Sequence, residues 1–327
     1  MIVNGCPPTM RPLFTCLLSL LASAPLHGQN REILAEYKIG VVGRDQEDAI
    51  YQAAHLGAID AARALSEEYS IDVEVVVMTP DTARGDSQTN SLGRLFVEDA
   101  DGLIISPSDP ETIGPAVEFA KRQGQSVIFF EQSISGVEPL ASVVADETEA
   151  GRLAARAILP RLPTKGRVAI LTAKDPGPEL EARLQGARQT LGYRRIYGIV
   201  ESEPDYFAAI QAIRDAEEAD RNHLIKGWLF LDDWPLLGMP ALPWEPGDLP
   251  VVAIQSSPSA FLYIDQGYVD ALVVHPYYDW GHTSMETLVK KLYRDVEPES
   301  RTIVTAPRVV DWRTVEDYRE SWKAWLK

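Results

Sequence analysis

Residues 99–132 read DADGLIISPSDPETIGPAVEFAKRQGQSVIFFEQ. Two apolar runs, at 102–106 and 126–130, flank a stretch of helical spacing. Pro110 follows Asp109 as a first helical residue follows its cap, and Gly124 stands where that helix closes. Runs that are apolar at every position belong to strands buried on both faces, as in a parallel sheet covered by helices on each side. The second run, VIFFEQ, ends in a carboxylate, Glu131, and an amide, Gln132, where a plain turn would have served. Either Glu131 caps the next element, or the strand's carboxyl end opens into a cleft where polar groups meet a ligand.

The same alternation extends in both directions. KIGVV at 38–42, VEVVVM at 73–78 and ASVVA at 141–145 complete a set of five apolar runs, with helical spacing over 49–69, 87–97, 110–124 and 148–159. The pattern then restarts with RVAILTA at 167–173, IYGIV at 196–200, IKGWLFL at 225–231, VVAI at 251–254 and ALVV at 271–274, again separated by helical stretches. Two successive five-strand βα units predict an α/β fold of two similar doubly wound lobes. After a helix at 278–293, TIVTAPRVV at 302–310 reads as one strand returning across both lobes, and 314–326 as a closing helix. PALPWEPGDLP at 240–250 reads as a surface loop between a helix and the next strand.

At 327 residues, with 45% hydrophobic and 24% charged residues, the chain has the composition of a globular protein of two ordinary domains. A net charge of −17 with no offsetting basic patch excludes a nucleic-acid backbone as partner. The first 29 residues carry Arg11, an apolar run from Leu13 to Leu21 too short to span a bilayer, and small residues Ala22, Ser23 and Ala24. That is the pattern of a secretory signal over 1–29, with Met10 as a second candidate start. An acylation reading of LFTC around Cys16 is weaker, because the apolar run continues past it. Cys6 and Cys16, the two cysteines, both fall in this segment, so a mature chain would hold no disulfide and no thiol nucleophile. No later stretch reaches the roughly eighteen apolar residues of a membrane helix. The expected product is a free, acidic, exported monomer that does not insert into the membrane.

In open parallel sheets, ligands sit beyond the carboxyl ends of the strands, where loops and helix amino termini converge. In the first half those positions hold Asp45, Asp48 and Tyr51, then Ser106 and Asp109, Glu131 and Gln132, and Asp146 and Glu147. In the second they hold Asp175, Glu181 and Arg183, then Asp205 and Tyr206, Asp232, Asp233 and Trp234, Gln255, and finally His275. Asp48, Asp109, Asp146 and Asp205 read equally well as helix caps. Glu131 caps poorly and follows a buried strand, which favours the cleft; of Asp232 and Asp233, one caps and the other faces it. Tyr51 and Tyr206 are either packing or the aromatic faces that a sugar needs. Neither a GxxxxGK[ST] loop nor a GxGxxG after the first strand occurs.

With these blocks in order, KIGVVGRDQEDAIYQAAHLGAIDAA, the opening stretch, SVVADETEAGRLAA, LFLDDWPLLGM and GYVDALVVHPYYDWG, the chain over about 38–312 resembles the type I periplasmic binding proteins of the ribose- and galactose-binding kind. The resemblance implies two lobes joined by three crossing strands, with 37–147 and 276–308 in the first and 148–275 and 309–327 in the second. It places ligand contacts on Asp48, Tyr51, Glu131, Gln132, Glu147, Arg183, Tyr206, Asp232, Gln255 and His275. It also implies a small-molecule ligand, a sugar or polyol, captured for an ABC transporter permease, with no cofactor and no catalytic residue. A periplasmic sensor that presents its liganded form to a membrane receptor or histidine kinase is the alternative. The sequence departs from the sugar binders of this family, which show Asp-Arg in place of Glu131-Gln132 and an Arg in place of Glu181. The loss of two arginines implies a more acidic pocket, suited to another sugar, a polyol, an amino sugar or a ligand of cationic character. Asp279, His282 and Glu286 share a helical face that could hold a metal; the competing reading is a solvated polar face with a local ion pair.

Overall fold

The apolar runs of the first half become β1 (Glu36–Val42), β2 (Asp72–Val77), β3 (Gly102–Ile105), β4 (Ser126–Glu131) and β5 (Ala141–Ala145). Between them lie α1 (Ala49–Tyr69), α2 (Gln88–Val97) and α3 (Pro110–Arg122). The computed structural model describes residues 32–255 and 257–326. The export-signal reading of 1–29, with Met10, Cys6 and Cys16, lies outside the described residues. From Ile33 onward the chain forms one unit.

The second half repeats the scheme with α4 (Glu147–Ile158), β6 (Arg167–Ala173), α5 (Pro178–Leu191), β7 (Ile196–Ser202), α6 (Tyr206–Ala219), β8 (Ile225–Phe230), β9 (Val251–Ile254), α7 (Ala260–Asp265) and β10 (Ala271–Val274). Then come α8 (Tyr277–Arg294), β11 (Thr302–Thr305), β12 (Arg308–Asp311) and α9 (Val315–Trp325). The strand orders are β2-β1-β3-β4-β5-β11 and β7-β6-β8-β9-β10-β12. Every pairing is parallel except β10 with β12. In each sheet the order reverses beside the first strand of its lobe, and that reversal opens a crevice at the strands' carboxyl ends.

Burial explains why β4 reads as an unbroken apolar run. Ile128 and Phe130 pack into the cluster that includes α1 and α8, whereas Val127 and Phe129 pack into the cluster under α2 and α3. All four are at most 1% exposed, and burying each phenylalanine is worth about 1.5–3 kcal/mol. In the first lobe, α1 and α8 approach so closely that a Cβ on Gly281 would lie 1.7 Å from the Ala54 carbonyl oxygen. The second lobe repeats the device, since a Cβ on Gly151 would lie 1.9 Å from the Arg183 carbonyl oxygen and one on Gly186 2.0 Å from that of Thr148. Two cleft residues, Glu147 and Arg183, therefore sit on helices locked together one turn away.

Two sequence expectations are corrected. The stretch 302–310 is two strands: Thr305 pairs with Ala145 in the first sheet and Arg308 with Val274 in the second. Pro307, which has no N–H to give a ladder, lies at the break. Together with the passages from β5 to α4 and from β10 to α8, this makes three crossings between the lobes. Between β8 and β9 the expected helix is replaced by one 3₁₀ turn, Trp234–Leu236, and irregular chain. Pro235, Pro240, Pro243 and Pro246, with Gly238 and Gly247, deny that segment the N–H groups and backbone a helix needs. Trp244 stacks on Trp228 at 6.1 Å and covers the sheet there instead.

Candidate functional site

On the first-lobe wall, Glu131 ends β4 in a left-handed conformation, with φ 70°. The Gln132 amide donates back to the Phe130 carbonyl at 2.8 Å, which makes Glu131 the centre of a γ-turn. Such a backbone is strained for any residue with a Cβ, and strain of this kind gathers at ligand sites. The turn aims the carboxylate across the ends of its neighbours. Oε2 accepts from the Tyr51 hydroxyl at 2.8 Å and from Ser106 Oγ at 2.6 Å, and Oε1 pairs with Arg44 Nη2. Arg44 Nε donates to the Tyr51 hydroxyl. Burial opposes the Arg44 charge, but Glu131 and Tyr51 hold its pKa above the ordinary value. Burial, with the Glu131 charge, pushes the Tyr51 phenol up.

On the second-lobe wall, Arg183 is the hub, with a side chain 5% exposed. Nε donates to Glu147 Oε2 at 2.7 Å; Nη1 donates to the Leu231 carbonyl at 2.9 Å and to Asp232 Oδ2 at 3.1 Å. Nη2 reaches Glu147 Oε1 at 3.2 Å, Gln255 Oε1 at 3.3 Å and His275 Nε2 at 3.3 Å. Gln255 directly follows β9 with φ 67°, a left-handed conformation like that of Glu131 in the other lobe. Burial works against the Glu147 charge, yet Arg183 and His275 hold its carboxyl below the usual range. For Asp232, burial outweighs its longer contact with the shared Arg183, and its carboxyl is raised. Burial and the Asp232 charge push Asp233 up to about 7. Burial lowers His275 to about 4, so it is a neutral imidazole at pH 7.

The two walls face a common gap of about 200 Å³. Arg44, Glu131, Gln132 and Trp280 line it from the first lobe, and Glu147, Glu179, Arg183, Asp232 and Gln255 from the second. The volume lies below the roughly 300–1,000 Å³ of pockets for drug-sized ligands, so it suits a smaller molecule. An adjoining space of about 420 Å³ shares Glu131, Gln132, Glu147 and Glu179 and reaches the crossing strands at Val144–Asp146 and Val304.

Of the residues singled out from sequence, Glu131, Gln132, Glu147, Arg183, Asp232 and Gln255 meet at this gap. Tyr51 and His275 stand behind it, bonded to Glu131 and in contact with Arg183. Asp48 caps α1, accepting from the Ile50 amide at 3.1 Å, and burial raises its carboxyl. Asp109, Asp146 and Asp205 are caps as well. Tyr206 lies apart from the gap: its ring covers Gly238 and its hydroxyl donates to the Met239 carbonyl. Glu181 lines a surface depression with Gln185 and Arg188, so of Glu181 and Arg183 it is Arg183 that faces the cleft, with Glu179 from the same helix. The two arginines replaced at Gln132 and Glu181 are offset in part, because Arg44 brings a guanidinium to Glu131 from the loop after β1 in addition to Arg183. Sequence reasoning also passed over Trp280, which lines the gap while its indole N–H donates to Thr305 Oγ1 at 3.0 Å. Its signal was the aromatic run YYDW at the start of α8. Among the described residues no three His, Cys, Asp or Glu side chains could hold a metal; Glu286 pairs with Lys290 and His282 stacks on Tyr278.

Two doubly wound lobes joined by three crossings are the type I periplasmic binding protein fold. The chain belongs to the periplasmic binding protein domain family, whose model matches residues 39–293. Among solved structures it is similar to a periplasmic ribose ABC transporter from Conexibacter woesei, at 21% identity and TM-score 0.73, over 88% of this chain and 95% of that one. An arabinose binding protein from Geobacillus stearothermophilus aligns at 18% identity and TM-score 0.73, over 86% and 99%. An ABC transporter solute binding protein from Agrobacterium vitis, solved with bound D-fucose, aligns at 22% identity and TM-score 0.67, over 86% and 98%. No curated protein matches the chain.

Proposed function

We propose that this chain is a periplasmic solute-binding protein that captures a small polyhydroxylated ligand, a sugar or polyol, between its lobes for an ABC importer. The observation that carries this reading is the gap walled from both lobes by hydrogen-bonding side chains at strand carboxyl ends. Membership of the family and the sugars named for the solved relatives support it. The mechanism is differential affinity. A ligand that bonds both walls at once stabilises the arrangement in which they face each other, and so shifts a hinge equilibrium at the three crossings. Carboxylates and amides suit the hydroxyls of such a ligand.

A thermal-shift screen over monosaccharides, polyols and amino sugars tests the proposal, since a ligand that binds only the folded state raises the melting temperature, by the equivalent of about 2.7 kcal/mol at a hundredfold excess over Kd. Glu131→Ala and Asp232→Ala are expected to fold and to lose the shift. Full shifts in both variants would refute the site.

A further inference from the structure

We propose that the ligand selected by this cleft carries a protonated amine, as an amino sugar or amino polyol does, and that the amine seats on the second-lobe wall among Glu147, Glu179 and Asp232. This rests on the reading of the cleft as a solute site and narrows its ligand.

The argument begins with charge. Four carboxylates and two guanidinium groups line the gap. On the first-lobe wall, Arg44 and Glu131 pair with each other, so that wall is close to neutral. The second-lobe wall sets three carboxylates against Arg183 alone, because His275 behind it is held neutral. Arg183 has no donor to spare. A guanidinium carries five N–H groups, and here they meet Glu147, the Leu231 carbonyl, Asp232 and Gln255, with His275 also in reach. Turning it toward a ligand would break contacts with two buried carboxylates. It therefore fixes acceptors in place, and the wall offered to the ligand is acceptor-rich and negative.

Glu179 strengthens the case. It lines the gap in the first turn of α5 and makes no hydrogen bond or ion pair among the described residues. Glu147 and Asp232 are 13% and 14% exposed at their side chains, and each carboxylate has about four lone-pair positions, more than Arg183 fills. Burial raises the carboxyl of Asp232 and, with the Asp232 charge beside it, that of Asp233, so a further cation at this wall would favour their charged forms. A ligand ammonium would supply that charge and three donors. The chain's net charge of −17 favours encounter with a cation and disfavours sugar acids and phosphates.

Isothermal titration of the full chain at pH 7 with glucosamine and galactosamine, each beside its neutral parent and its N-acetyl derivative, reads this directly. The amines are expected to bind about tenfold tighter than the neutral parents, the usual gain of a charge-assisted over a neutral hydrogen bond, and N-acetylation is expected to erase the gain. Glu179→Gln should shrink the amine preference several-fold. Neutral parents that bind as tightly as the amines would overturn the proposal while leaving the solute-binding reading intact. Binding of none of these probes would also overturn it, and the broader screen would then decide the parent reading on its own.

Discussion

Replacing Arg183 with Met removes the hub of the second-lobe wall and leaves Glu147 and Asp232 buried without a cation. Breaking a buried pair from one side costs about 3–5 kcal/mol, because the partner charge stays behind uncompensated. Exposures of 13% and 14% admit some water to the stranded carboxylates, which places the cost toward the lower end, about 3 kcal/mol. At about 2.1 cal/mol/K of unfolding entropy per residue over the unit that begins at Ile33, each kcal/mol moves Tm by about 1.6 °C, so a loss of about 5 °C is expected at pH 7. The pH dependence has a definite sign. In the parent protein Glu147 is held below the usual carboxylate range, so its stabilising contribution is present above its unfolded pKa and is lost only as acid reaches the lower folded value. Without Arg183, Glu147 and Asp232 are both raised by burial. A raised carboxyl stabilises the fold below its unfolded pKa and loses that contribution as pH rises through the folded value. The deficit of the variant therefore narrows from pH 7 to pH 5. Melting curves followed by circular dichroism at the two pH values check this. A variant within about 2 °C of the parent at pH 7, or a deficit that widens on acidification, would refute the reasoning.

Gly281→Ala puts a methyl group 1.7 Å from the Ala54 carbonyl oxygen, so although Ala favours helix by about 1 kcal/mol, the forced separation of α1 and α8 gives a net loss of about 1–3 kcal/mol in urea unfolding; an unchanged midpoint would count against the crossing. Asp233 carries a carboxyl raised to about 7, so the parent gains stability as pH falls from 8 to 6; Asp233→Asn should flatten that gain, and an unaltered slope would exonerate the residue.

The two lobes were legible because strands buried on both faces leave unbroken apolar runs. The cap at Asp109 and the close at Gly124 punctuate the helix between two of them as expected. Within TIVTAPRVV, Pro307 was the one sign of a break, and that its two halves belong to different sheets shows only in the pairing of Thr305 with one sheet and Arg308 with the other. Glu131, Gln132, Glu147, Arg183, Asp232 and Gln255 line one gap because the topology brings the strand ends of both sheets together. Which side chains meet there depends on reach and direction. Arg44 gets to Glu131 across 87 positions on a long side chain, and Trp280 enters from a helix that returns to the first lobe after all of the second. Tyr206 follows a strand as Tyr51 does, yet β7 is the outer strand of its sheet, and the ring rests on Gly238 away from the gap.

The central claim is that one small molecule is held by both lobes at once. A crystal structure of the chain with a ligand from the thermal-shift screen measures this most directly. The account predicts the ligand between Arg44 and Glu131 on one side and Glu147, Asp232 and Gln255 on the other, within hydrogen-bond distance of both walls. A ligand seated on the outer surface of one lobe, with the gap between the lobes left to water, would contradict it.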